Sequence, residues 1–120
     1  MLYKENLTYE VIGAAMEVYN ELGYGFLEKV YENSLIISLR EKGIRCESQV
    51  PIDVYYHGEI VGKYIADIIV EEVILELKTM EKLNSANESQ LLNYLKATNK
   101  KLGLLLNFSP KGLEYRRFIK

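Results

Sequence analysis

The segment 73–79, VILELKT, is apolar on both of its faces apart from Glu76 and Lys78. Successive side chains of a β-strand point to opposite faces, so a strand that is apolar on both needs cover on both. A sheet that is open to water on one side does not provide that cover. The segment therefore predicts a central strand in a sheet that is flanked by other layers.

Three helices are predicted from apolar residues at helical spacing, over residues 8–22, 26–42 and 86–99. Asn6 or Thr8 is expected to cap the first helix, and Gly43 suits the left-handed turn after the second. Ser85 and Glu88 have the spacing of a capping box at the start of the third.

The remaining strands are predicted from a period of two or from short apolar runs, over residues 44–56, 59–70, 101–108 and 113–119. Pro51 cannot donate to a ladder, so the first strand is expected at or near an edge. Glu71-Glu72 is expected to form the turn before the central strand. The predicted fold is α/β (α+β), a mixed sheet flanked by helices in the order α-α-β-β-β-α-β-(β).

Length and composition limit the class of protein. A chain of 120 residues, 48% hydrophobic and 27% charged, is typical of one globular domain, here residues 1–120. No apolar run approaches the roughly 20 residues of a membrane span, and the first ten residues do not resemble a signal peptide. One cysteine and one histidine exclude an internal disulfide and the multi-cysteine zinc sites. We therefore expect a cytoplasmic protein with no membrane partner.

Charge is distributed unevenly along the chain, although the net charge is only -2. Residues 1–95 have a balance of -8, whereas residues 96–120 carry seven basic residues and one glutamate. A basic end can contact phosphate groups, or it can be a solvated terminus. The candidate nucleic-acid contacts are Lys96, Lys100, Lys101, Arg116 and Arg117.

Two carboxylates are expected to meet next to the central strand. If Glu71-Glu72 is a two-residue turn, Asp67 faces Glu76, with Cβ atoms roughly 5 Å apart. A like-charge pair at that distance is destabilising unless a shared proton, a basic group or a metal ion compensates. Lys78 follows on the same face as Glu76 and supplies one positive charge.

This arrangement has two interpretations. Two carboxylates suit Mg²⁺ or Mn²⁺, which lowers the pKa of a bound water and neutralises phosphate charge, while an ammonium group orients that water. That combination is sufficient for phosphodiester hydrolysis. Alternatively, Lys78 forms a core salt bridge with Glu76 or Asp67.

Asp67 followed by Glu76-Leu77-Lys78 resembles the motif of the PD-(D/E)xK nuclease superfamily, with Ala66 in place of the proline. The segment 25–31, GFLEKVY, resembles the signature of the GxxExxY protein family, a branch of that superfamily. The segment 90–94, QLLNY, is similar to the helix that follows the ExK strand in the family. The resemblance implies a restriction-endonuclease-like core and covers nearly the whole chain.

The resemblance also implies roles for individual residues. Asp67 and Glu76 would bind the metal, with the backbone carbonyl of Leu77 as a third ligand, and Lys78 would position or activate the attacking water. Glu28 would be the additional acidic residue that binds the metal directly or through water, and Gln90 would lie near the site. By contrast, Tyr31 and Tyr94 are expected to pack in the core.

The first hypothesis is a Mg²⁺-dependent nuclease, with Mn²⁺ as a substitute, that hydrolyses DNA or RNA by a metal-activated water. The basic C-terminal stretch would hold the nucleic-acid backbone, and a homodimer would widen that surface. The second hypothesis is a non-catalytic module that binds nucleic acid or protein on the same fold. A third is an enzyme that acts on another phosphoester.

Overall fold

A computed structural model describes residues 5–120, which form three helices and five strands. In chain order the elements are α1 (Glu5–Leu22), α2 (Glu28–Glu41), β1 (Cys46–Tyr56), β2 (Glu59–Val70), β3 (Val73–Lys78), α3 (Ser85–Thr98), β4 (Leu102–Ser109) and β5 (Gly112–Ile119). This is the predicted order α-α-β-β-β-α-β-(β), with the last strand present. None of the helices formed by residues 5–120 has the length and hydrophobicity that a membrane span requires.

The five strands form one mixed sheet in the order β1-β2-β3-β4-β5. β3 and β4 are parallel, and the other neighbours are antiparallel. A parallel pair needs a crossover, and α3 provides it. The prediction for β3 is confirmed, because it is the middle strand and its residues from Val73 to Leu77 are all buried. Pro51 lies on the edge strand β1, as expected.

Each face of the sheet has its own apolar core. On one face, α1 and α2 pack against Val73, Leu75 and Leu77 of β3. On the other face, α3 packs against Ile74. By alternation, Glu76 and Lys78 lie on the face that α3 covers.

The buried side chains of the β1–β2 hairpin lie on one face of the sheet at one end of the hairpin and on the other face further along. The regular alternation predicted for β1 would keep its apolar side chains on a single face. Cys46 and Ile68 pack on the side of α1 and α2, whereas Ile52 and Ala66 pack on the side of α3. Gln49 lies between them on β1 and has a left-handed backbone with φ of 51°. In the β1–β2 register this residue falls opposite Asp67. The two strands therefore change faces at the level of the predicted site.

The predicted helix caps are wrong at two positions. Asn6 and Thr8 lie inside α1. The N-cap of α3 is Asn84, whose side chain accepts a hydrogen bond from the Asn87 backbone N–H, while the Asn87 side chain accepts one from Asn84. The sequence NSANES contains two overlapping capping boxes, and the one beginning at Asn84 forms because that residue keeps an extended backbone.

The contact between β4 and α3 leaves no space at Gly103. A Cβ added there would lie 2.9 Å from side-chain atoms of Leu91. We expect Gly103→Ala to lower the free energy of unfolding by about 1–3 kcal/mol in urea denaturation, because the core would be overpacked. Gly13→Ala is the control, since a Cβ at that position in α1 meets nothing within 4 Å. This substitution also removes a flexible glycine from a helix, so it should not lower the free energy of unfolding. A Gly103→Ala protein as stable as wild type would contradict this packing.

Candidate active site

The candidate site lies where β2 and β3 stop pairing as a regular ladder. The last ladder pair is Ile68 with Leu75, and the next residues along each strand are Asp67 and Glu76. The Asp67 backbone N–H donates to Glu76 Oε1 at 3.0 Å, and the Leu77 backbone N–H donates to Asp67 Oδ2 at 2.8 Å. Each carboxylate therefore binds the backbone of the neighbouring strand and is fixed in place by it.

This arrangement differs from the predicted one in a physical detail. We expected Asp67 and Glu76 to be a directly opposed ladder pair. Instead, side-chain oxygens take the places of ladder acceptors. The two carboxylates are still brought together, because the two-residue turn at Glu71-Glu72 sets the register that was expected.

Burial and crowding disfavour negative charge in this cluster. Glu76 is only 4% exposed, and burial, followed by the charge of Asp67, raises its pKa to about 8. Burial also raises the pKa of Asp67, against the opposing effects of the Leu77 N–H and Lys78. The pKa of Glu28 is raised by burial and then by the charge of Asp67. The site therefore favours the addition of positive charge.

Lys78 is the nearby positive charge. It is the last residue of β3, half-buried, two positions after Glu76. It lowers the pKa of Glu28, Asp67 and Glu76, so its ammonium group lies close enough to affect all three. The ion pairs found among residues 5–120 do not include Lys78. The alternative of a core salt bridge is therefore not what the structure contains.

Helix α2 contributes two carboxylates to this region, of which the sequence analysis found only Glu28. Glu28 is the first residue of α2 and is half-buried. Glu32 lies one turn later, is 3% exposed, and acts electrostatically on both Glu28 and Asp67. Lys29 Nζ lies 2.7 Å from it, and Gln49 Nε2 donates to it at 2.9 Å. The signal for Glu32 was its spacing of four from Glu28, which places both on one helix face.

Gln90 lies on α3 but makes its contact with Tyr94 rather than with a carboxylate. Its Nε2 donates to the Tyr94 hydroxyl at 3.0 Å. Tyr94 is buried, and its pKa is raised by burial and then by the charge of Glu76. Gln90 therefore adjoins the site through Tyr94. Tyr31 is buried in the core, stacks on Phe108 at 4.4 Å, and donates to the Gly23 carbonyl at 2.5 Å.

Asn107 is a buried residue that the sequence analysis missed, and it fixes the loop after Lys78. It pairs with Lys78 across the parallel strands. Its side chain bonds both the N–H and the carbonyl of Met80, each at 2.9 Å, and donates to Glu114. Glu114 in turn accepts from the Leu83 N–H. These contacts hold the chain between β3 and α3, and no local sequence pattern marks them.

The five basic residues proposed as nucleic-acid contacts do not form one surface. Arg116 pairs with Glu88 and Glu114, and Arg117 is its strand neighbour and so points to the opposite face. Lys100 and Lys101 precede β4, next to Val73 and roughly 16 Å along the strand from Lys78. Lys96 alone lies on an exposed part of α3 that is on the same side as the carboxylates.

The carboxylate oxygens of Asp67 and Glu76 are ligands of the kind that a hard divalent cation prefers. Within residues 5–120, no group of three or more histidine, cysteine, aspartate or glutamate side chains is arranged closely enough to hold a metal ion. Asp67 and Glu76 supply two carboxylates, each with one oxygen already bound to a backbone N–H. Mg²⁺ is usually bound through one or two carboxylates, with water and substrate phosphate completing its shell. Two carboxylates whose negative charge is disfavoured by burial fit that chemistry.

The sequence matches the PD-(D/E)XK nuclease superfamily over residues 5–118, which is nearly the whole chain. The protein therefore belongs to this superfamily, and the predicted restriction-endonuclease-like fold is confirmed. Nucleases of this superfamily generally use divalent metals. The narrower assignment to the GxxExxY family stays a prediction.

One solved structure with a similar fold is titled "Crystal structure of SSO0001", with a TM-score of 0.64 and 17% sequence identity. The similarity covers 98% of this chain and 60% of that chain, so this chain spans about three fifths of the length of that protein. At this identity the similarity concerns the fold alone. No curated protein matches the sequence.

Proposed function

We propose that the protein is a divalent-metal-dependent nuclease that hydrolyses phosphodiester bonds. The observation that carries this proposal is the pair of hydrogen bonds that Asp67 and Glu76 accept across the gap between β2 and β3. Beside them lies the Lys78 ammonium group, which no direct ion pair among residues 5–120 engages. Structural carboxylates in a core are normally neutralised by a partner. These two are held by backbone N–H groups and have raised pKa values.

The residues have separable roles in this proposal. Asp67 and Glu76 would hold Mg²⁺ or Mn²⁺, with the Leu77 carbonyl as a further ligand, and Glu28 would add negative charge from α2. The bound cation would supply a water of lowered pKa and neutralise charge on the phosphate. Lys78 would orient the attacking water and stabilise the charge that develops on the phosphoryl oxygens. Gln90 would keep the Tyr94 hydroxyl oriented beside the carboxylates.

A digestion panel tests the proposal. Plasmid, linear, branched and single-stranded DNA, together with RNA, would be incubated with the protein in Mn²⁺, in Mg²⁺ and in EDTA. We expect cleavage of at least one substrate only with metal, and none by Asp67→Asn, which keeps an acceptor for the Leu77 N–H but removes the charge. Cleavage by Asp67→Asn at the wild-type rate would contradict the proposal.

The non-catalytic module is the second candidate, and one observation favours it. Among the described residues, no three histidine, cysteine, aspartate or glutamate side chains lie close enough together to hold a metal ion. Under this alternative, the protein binds nucleic acid equally well with and without metal and cleaves none of the panel. Under the nuclease proposal, both cleavage and metal binding are lost together in Asp67→Asn.

A further inference from the structure

We propose that the groove between the β1–β2 hairpin and α3 binds a single-stranded segment of nucleic acid that leads to the candidate active site. The inference rests on the proposed nuclease function and names the form of its substrate. The groove has a volume of about 520 Å³. Tyr55 and Tyr64 line its hairpin side, and Asn93 and Lys96 line its helix side.

The groove adjoins the carboxylates through Tyr94. The rings of Tyr64 and Tyr94 are in contact, with centroids 5.2 Å apart. Tyr94 also binds Gln90, and its hydroxyl is affected by the charges of Glu76 and Asp67. Tyr94 therefore contacts Tyr64, a residue that lines the groove, and also lies close to the carboxylates.

The helix side of the groove continues the same path. Gln90, Asn93 and Lys96 are spaced by three along α3, so their side chains follow one stripe of the helix. The stripe rises by about 9 Å from Gln90 to Lys96. Along β2, Tyr64 is three residues from Asp67, or about 10 Å. Both measures correspond to about three stacked nucleotides at 3.4 Å per step.

The groove lining suits single strands. Proteins that bind single-stranded nucleic acid combine aromatic side chains, on which bases stack, with basic groups that contact the backbone. Tyr55 is 61% exposed and offers a ring, Lys96 is exposed and offers the charge, and Asn93 offers an amide. Asp53 also lines the groove, and it is the strand partner of the exposed Lys63.

The chain offers matched control residues for the test. Tyr55 and Tyr56 are adjacent and similarly exposed, at 61% and 63%, but only Tyr55 lines the groove. Lys96 and Lys101 are both exposed lysines, and Lys101 lies at the other end of β3 and β4 from Lys78. All four side chains lie on the surface, so alanine at these positions is expected to leave folding intact.

The experiment measures fluorescence anisotropy of a labelled oligonucleotide, as single-stranded DNA, single-stranded RNA and duplex DNA, with the full chain in EDTA so that no strand is cut. We expect a single strand to bind more tightly than duplex. Tyr55→Ala should weaken that binding by about 5-fold or more, the loss of one stacked base. Lys96→Ala should also weaken it and reduce the salt slope by roughly 0.7. Tyr56→Ala and Lys101→Ala should bind as wild type does.

Three results would overturn the inference: no single-strand binding, tighter binding of duplex, or equal losses in the target and control variants. The outcome is separate from that of the nuclease proposal. Groove-dependent binding without any cleavage would retain the groove and reject the nuclease. Cleavage that is unchanged in Tyr55→Ala and Lys96→Ala, with unchanged binding, would retain the nuclease and reject the groove.

Discussion

Lys78→Ala is expected to lower metal-dependent cleavage by at least about 100-fold, because removal of one charge-stabilising donor from a catalytic site has an effect of that order. Lys78 is the end residue of β3 and takes part in no direct ion pair among the described residues. Its loss should therefore affect the reaction far more than the fold. The measurement is the single-turnover cleavage rate on whichever panel substrate the wild-type protein cuts.

Two further variants make this result specific. Lys111→Ala removes an exposed lysine in the β4–β5 turn and should cleave at the wild-type rate. Lys78→Arg keeps the positive charge but replaces a compact ammonium by a planar group, so we expect partial activity. Equal cleavage by Lys78→Ala and wild type would show that the activity comes from a contaminant or that Lys78 has no role in it.

The metal-free wild-type protein is expected to lose much stability as pH rises, and Glu76→Gln is expected to remove that pH-dependent loss. The pKa of Glu76 is about 8 in the folded protein, above its value of 4.5 in the unfolded chain. Between these values the folded state retains a proton that the unfolded state has released, so rising pH favours unfolding. At about 1.4 kcal/mol for each tenfold difference in proton affinity, the loss is on the order of 5 kcal/mol above pH 8.

Urea denaturation in EDTA at a series of pH values measures this effect. In the wild-type protein, the contribution of Glu76 to the free energy of unfolding should be complete below about pH 4.5. It should be lost progressively up to about pH 8. Asp67 and Glu28 are shifted in the same direction, so a smaller slope should persist in Glu76→Gln. Glu47→Gln, on the exposed surface of β1, should behave as wild type does. Identical pH profiles for Glu76→Gln and wild type would show that Glu76 ionises without penalty.

The parts of the fold that local physics determines could be predicted from the sequence. The apolar run at 73–79 identified the middle strand, because only a strand covered on both faces has that pattern. The two acidic residues at 71 and 72 formed a turn of the expected length, which set the register of β2 and β3. That register is the reason why Asp67 and Glu76 come together.

Other features depend on tertiary contacts and have no local signal. Gln49 adopts a left-handed backbone, although glutamine does not favour it, and lies at the level where the β1–β2 hairpin changes faces. Glu32 is buried beside the site through its contacts with Lys29 and Gln49, the second of which is 17 positions away in sequence. Its helical spacing from Glu28 does not by itself distinguish a buried carboxylate from an exposed one.

The basic C-terminal stretch shows how charge along a sequence differs from charge on a surface. Arg116 and Arg117 are neighbours in sequence, but strand alternation directs them to opposite faces. Arg116 is then paired with Glu88, a residue of the distant helix α3. Lys101 precedes β4, at the end of that strand that lies farthest from Lys78. The sequence identified the charges correctly, but their separation depends on the register of β3, β4 and β5.

The most direct test of the account is calorimetric titration of the protein with Mn²⁺. Saturable binding is expected for wild type, with at least about a tenfold loss of affinity in both Asp67→Asn and Glu76→Gln, since Mn²⁺ binds through carboxylate oxygens. Glu59→Gln, on the exposed end of β2, should retain the wild-type affinity. Undetectable binding to wild type, or equal affinity in all four proteins, would contradict the claim that Asp67 and Glu76 form a metal site.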